Sequence, residues 1–135
     1  MKLERFEDIE AWQLARTLTR KIYDLTRNEK FYRDFGLRTQ IQDAAGSSMH
    51  NIAEGFDSGT NVEFVRFLRY AKRSCTEVQS QLYLALDMSY ISTTEFRDAY
   101  DHAARTRSVI GGFVKYLSAS QRGKHKNEQV SNPER

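Results

Sequence analysis

Apolar residues recur at three- and four-residue spacing in four blocks of the chain, the period that lines one face of an α-helix. The first block, Ala11, Leu14, Ala15, Leu18, Ile22 and Leu25, predicts a helix from Asp8 to about Arg27. A polar and aromatic connector follows and ends in Asp34, a residue type that caps helix N-termini. The second block, Leu37, Ile41, Ala44, Ala45, Ser48 and Ile52, then runs to near Gly55. The third opens at Thr60-Asn61-Val62-Glu63, a capping box in which hydroxyl and carboxylate reciprocally satisfy free backbone N–H groups. Phe64, Phe67, Leu68, Ala71, Cys75, Val78, Leu82, Ala85 and Leu86 carry this helix to about Met88. A second box, Ser92-Thr93-Thr94-Glu95, starts the fourth helix, with Ile91 and Phe96 at the positions of a hydrophobic staple, and that helix runs to roughly Ser118.

Short connections between long helices make neighbours antiparallel. The expected fold is therefore all-α: an up-down-up-down antiparallel four-helix bundle over residues 1–119, with a basic, flexible and disordered C-terminal tail over 120–135. Gly111-Gly112 stands out, because each glycine inside a helix costs about 1 kcal/mol relative to alanine. Close packing against a neighbouring helix is the expected compensation.

Composition narrows the function. The chain has 135 residues, room for one domain, and nowhere a run of about 20 apolar residues to cross a bilayer. The segment from Met1 to Phe6 has no apolar core of signal-peptide length, which predicts a cytoplasmic protein without a membrane association. One cysteine and three scattered histidines predict neither an internal disulfide nor a metal cluster. His50 and Glu54, four residues apart on one helix face, are expected to make a surface or interhelical hydrogen bond, and no cofactor is implied. Cys75 lies on an apolar stripe, where a buried and inert thiol is expected. No nucleophile, base and orienting group share a motif, so the chain reads as a binding protein and not as an enzyme.

The net charge is +3, but it is unevenly spread: the last 16 residues hold four basic and two acidic groups of the 21 and 18 in the chain, leaving 17 and 16 in 1–119. Attraction to phosphate must then come from local clusters. Arg66, Arg69, Lys72 and Arg73 form a basic edge on the third helix, with a solvated face paired to nearby acids as the alternative. Arg122, Lys124 and Lys126 add a basic tail. Trp12, Met49, Phe56, Val65 and Tyr70 flank the core stripes instead of lying within them, which predicts a second contact surface, such as one between copies of the chain. Two functional readings follow: a nucleic-acid-binding module, and an oligomeric scaffold for a protein partner.

Asn51-Ile52-Ala53-Glu54-Gly55-Phe56, followed by Glu63-Phe64 and Phe67-Leu68, resembles the signature of the 23S ribosomal RNA intervening-sequence protein family. Trp12-Gln13, Gly36-Leu37, Gln40, Ser74, Glu77, Gln81-Leu82 and Tyr90-Ile91 support the resemblance, which covers roughly residues 6–117. It implies a four-helix bundle assembled as a pentameric ring and an association with RNA or DNA. Members of that family were first noticed as reading frames inside insertions of bacterial large-subunit ribosomal RNA genes, though many occur elsewhere, and relatives accompany reverse transcriptases. Gln40, Asn51, Glu54 and Glu77 carry over from the motif and are expected to form a polar network linking helices near a bundle end. Four positions depart from the pattern. Gln42 and Asp43 stand where members usually carry basic residues, and Arg73 stands where they carry glycine. Met49 replaces a common proline, so the second helix should run uninterrupted.

Overall fold

The structure is a computed structural model that describes residues 3–131, with side chains described through Ser120. A 3-10 turn at Phe6–Asp8 precedes α1 (Glu10–Leu25), α2 (Glu29–Arg33), α3 (Phe35–Asp57), α4 (Asn61–Asp87) and α5 (Thr93–Ser131), and the described residues contain no strand. Helix α3 is uninterrupted through Met49. Helix α5 passes the expected end near Ser118, while the side chains of the expected tail, Arg122, Lys124 and Lys126 among them, lie outside the described residues.

The caps explain where the helices begin. Ser92 and Glu95 form the expected reciprocal box, with Glu95 N–H donating to Ser92 Oγ at 3.0 Å and Ser92 N–H donating to Glu95 Oε1 at 2.8 Å. Asp34 Oδ1 accepts from Leu37 N–H at 3.1 Å. The Thr60 box is only half made: its hydroxyl accepts from Glu63 N–H at 3.2 Å, but the Glu63 carboxylate turns to Arg66. An ionised guanidinium is a stronger donor than a backbone amide, and it wins that competition. The expected start of α1 at Asp8 shifts to Glu10, because Asp8 belongs to the 3-10 turn.

Helix α1 packs on α3 and α5, and α4 packs on α3 and α5, so the four long helices ring one core. Cross-links place late residues of each helix beside early residues of its neighbour. Ser74 donates to Ser47 Oγ at 2.9 Å while Gly55 meets Phe64 and Phe67, which sets α4 antiparallel to α3. Lys21 bridges to Asp98 at 2.8 Å and His102 Nε2 lies 2.9 Å from the Leu14 carbonyl, which does the same for α1 and α5. Leu18, Ile22, Ile41, Ile52, Leu68, Val78, Leu82 and Ile110 are fully buried between them.

Two features depart from the sequence reading. The connector after α1 contains α2, whose Phe31 is fully buried and stacks on Tyr90 at 5.4 Å; Tyr90 in turn donates to Asp34 at 2.9 Å. This plug closes one end of the bundle. The glycines also exchange roles. A Cβ on Gly111 would meet Lys72 at an ordinary 3.7 Å, and one on Gly112 would meet nothing within 4 Å, so close packing does not account for the pair. The close approach is at Gly55 instead, where a Cβ would come within 2.8 Å of Phe67 Cβ and 2.9 Å of Phe64 Cδ1.

After α4 the chain reverses with Ser89 at φ 61°, Ser89 N–H bonded to Leu86 O and Tyr90 N–H to Ala85 O, the Schellman arrangement usually built around glycine. A side chain in this left-handed conformation costs about 1 kcal/mol or more. Substituting Gly for Ser89 is therefore expected to raise stability by about 0.5–1 kcal/mol in urea unfolding. Gly112→Ala should stabilise by up to about 1 kcal/mol from helix propensity. Gly55→Ala should destabilise by about 1–3 kcal/mol through overpacking; equal stability for the Gly55 variant and the wild type would refute the close approach.

Candidate nucleic-acid interface

On α4 the apolar stripe from Phe64 to Ala85 faces inward, so Val62, Arg66, Arg69 and Arg73 fall on the opposite, outer side. Val62, Val65, Arg66, Arg69, Tyr70 and Arg73 line a shallow cavity of about 500 Å³ along this helix. Three of the four expected basic residues line it, and Lys72 joins Arg69 and Arg73 in the cavity on the α5 side, but the four are in different states. Arg66 is engaged: Nη2 donates to Glu63 Oε2 at 2.6 Å and Nη1 donates to Tyr70 Oη at 3.2 Å. Hydrogen bonding to Glu63, then to Tyr70, holds its pKa above the ordinary arginine value. Arg69, Lys72 and Arg73 have no carboxylate within 4 Å among the described residues. Their charge is therefore available to a ligand. The Tyr70 ring lies between two guanidinium groups, with Arg66 and Arg73 each 5.7 Å from its centroid.

Across the α4/α5 seam lies a second cavity of about 430 Å³, lined by Arg69, Lys72, Arg73 and Thr76 from α4 and by Arg107, Gly111, Val114 and Lys115 from α5. Arg107 Nε donates to Thr76 Oγ1 at 3.0 Å, which orients the guanidinium against α4. Arg107 and Lys115 were not among the residues expected from sequence. Their spacing with Gly111, every fourth position, was a readable signal of a shared face. That this face meets the basic edge of α4 depends on the register of two helices, which no single-helix pattern contains.

The other expected residues separate. Trp12 belongs to the core and not to a free flank, because the 3-10 turn folds Phe6 against it edge-on at 5.1 Å. Met49, Phe56 and Val65 are half-buried against the core, and Tyr70 is 37% exposed. Gln40, Glu54 and Glu77 are exposed and make no hydrogen bond among the described residues, so the structure does not join them into a network. Asn51 bonds only within α3, donating to the Ser47 carbonyl and hydroxyl, both at 2.9 Å, beside the Ser74–Ser47 bond that does link α4 to α3. Long side chains at the rim of a helix pair reach water more easily than each other, whereas the short serines fit the seam. Gln81, also in the motif, is half-buried with an unpartnered Oε1. His50 and Glu54 share no hydrogen bond.

A profile of the family described as 23S rRNA-intervening sequence protein matches residues 7–112. The chain belongs to that family. The match takes in α1 to α4 and ends at Gly112, so the α4 edge and Arg107 lie inside the family region and Lys115 lies outside it. Comparison with curated proteins gives no match. Among the described residues no helix is long and apolar enough to cross a membrane.

Cys75 is fully buried at the centre of α4, and burial pushes its thiol up to about 12 despite the opposing charge of Arg107. The folded protein should thus leave Cys75 unmodified by iodoacetamide at pH 8, with rapid labelling only after unfolding, as read by mass spectrometry. The unfolded thiol ionises first as pH rises, so the folded state binds the extra proton between about pH 9 and 12. Cys75 therefore contributes to a loss of stability across that window, and Cys75→Ala should flatten the decline.

Proposed function

We propose that the chain is a non-enzymatic nucleic-acid-binding module, an up-down-up-down four-helix bundle that engages RNA or DNA phosphates through the basic outer edge of α4. The observation that carries this reading is that Arg69, Lys72 and Arg73 crowd one surface with no carboxylate partner among the described residues. Cations left unneutralised at short spacing favour a polyanion, whose condensed counterions are released on binding. The family description, with its reference to 23S rRNA, supports the same class of ligand. Arg66 serves chiefly to hold Tyr70 in place, since its charge is already met by Glu63.

Fluorescence anisotropy of labelled RNA and duplex DNA, titrated at low and near-physiological salt, tests the proposal. Binding should weaken steeply with salt, and replacing Arg69, Lys72 and Arg73 together with Gln should reduce the slope of log affinity against log salt by about 2–3. Affinity and slope indifferent to that change would remove the α4 edge from the proposal.

A second reading, an oligomeric scaffold that assembles as a ring and recognises a protein partner, is favoured by apolar groups on the same outer face. Val62 is 58% exposed, and half-buried Val65 and exposed Tyr70 lie next to it. Val62 gives a cleaner test than Val65 because its replacement leaves the core intact. In sedimentation, Val62→Asp should lower the mass if this face joins copies of the chain; an unchanged mass would exclude Val62 from such an interface.

A further inference from the structure

We propose that the α4/α5 groove seats the phosphodiester backbone of a single nucleic-acid strand, with the bare backbone at Gly111 as its floor. The proposal rests on the nucleic-acid reading above and adds a place and a ligand form to it. Five cations line the groove, Arg69, Lys72 and Arg73 on one wall and Arg107 and Lys115 on the other, and no carboxylate does. Arg107 uses one N–H on Thr76 and so is held in place with its remaining donors unspent.

Gly111 explains the shape. On α5 it stands one turn from Arg107 and one turn from Lys115, so any side chain there would rise between the two cations and against Lys72, whose Nζ lies 3.7 Å from the position a Cβ would take. A glycine at mid-helix costs about 1 kcal/mol, and packing gives no compensation at this position. Its structural consequence is open space on a cationic floor. Arg107 and Lys115 are eight residues apart, about 12 Å along the helix, a distance that spans a few successive phosphates.

The groove is concave and confined between two helices, a form that admits one strand. A duplex carries its phosphates on a broad convex cylinder and would touch only the rims. At the α4 lip, Arg73 is shared with the neighbouring cavity, where its guanidinium lies over the Tyr70 ring, 5.7 Å from the centroid. Cationic grooves that track a backbone suit sequence-tolerant strand binding.

The test uses the full chain, with labelled single-stranded RNA, the matched duplex and polyglutamate of equal charge as probes at low salt. Single-stranded RNA should bind most tightly. Gly111→Leu should weaken it about tenfold while the thermal midpoint stays equal or rises, and the double replacement Arg107→Gln with Lys115→Gln should reduce the salt slope by about 1.4. If both variants bind like the unsubstituted protein while the triple α4 variant is weakened, the groove is overturned and the α4 reading stands. Preference for the duplex overturns the single-strand assignment, and equal affinity for polyglutamate overturns the nucleic-acid assignment. No binding of any nucleic acid by the unsubstituted protein overturns both this inference and the reading on which it rests.

Discussion

The close approach of α3 and α4 at Gly55 is the contact on which the rest of the arrangement depends. A Cβ at this position would come within 2.8 Å of Phe67 Cβ, so the absence of one lets the two backbones converge where the chain turns between them. Convergence at this end fixes the register of the pair, and the Ser74–Ser47 hydrogen bond lies where that register places it, about two turns further along. With the inner face of α4 committed to the core by Phe64, Leu68, Ala71, Cys75 and Val78, its outer face is committed to Val62, Arg66, Arg69 and Arg73. The surface chemistry of α4 is thus set from the inside.

Periodicity made the four long helices legible because each has an apolar stripe several turns long, and the Ser92 box and the Asp34 cap marked two starts within a residue. What escaped the sequence has a common cause: it depends on partners distant in the chain. Phe31 sits in a five-residue helix too short to show a period, and it stacks on Tyr90, which is distant in the chain. Trp12 reads as a flank until the 3-10 turn brings Phe6 over it. The expected polar network failed for a different reason. Motif membership does not tell which side chains meet, and at the rim of α3 and α4 the small hydroxyls of Ser47 and Ser74 make the link that the longer Gln40, Glu54 and Glu77 do not. The basic edge of α4 was legible as a set of cations, but whether those cations were already neutralised was not. Glu63 removes Arg66 from the free set and leaves the other three.

A nearly neutral folded part is compatible with a strong local field because surface charges separated by more than about 8–10 Å are largely screened at physiological salt. The five cations line one groove and would act at contact range on a ligand seated in it, while acids such as Asp98 and Glu29 are occupied by Lys21 and Arg33 on other faces. The global charge therefore says little about affinity here, and the arrangement of unpaired cations says more.

The two proposed roles make different demands on α4. Its outer strip alternates Val62, Val65 and Tyr70 with Arg66, Arg69 and Arg73, so an assembly that buries the valines also crowds the arginines between them. Burying Arg69 and Arg73 without partners would cost on the order of several kcal/mol, which disfavours an interface centred on the strip unless the facing surface is acidic. The α4/α5 groove is offset toward the α5 side and draws two of its five cations from α5, so it can stay open while Val62 and Tyr70 are covered. On this geometry self-association and strand binding are compatible when assembly uses the α3-facing margin of the strip. Each added copy then presents another groove, and several weak sites on one strand bind with an avidity that a single groove lacks.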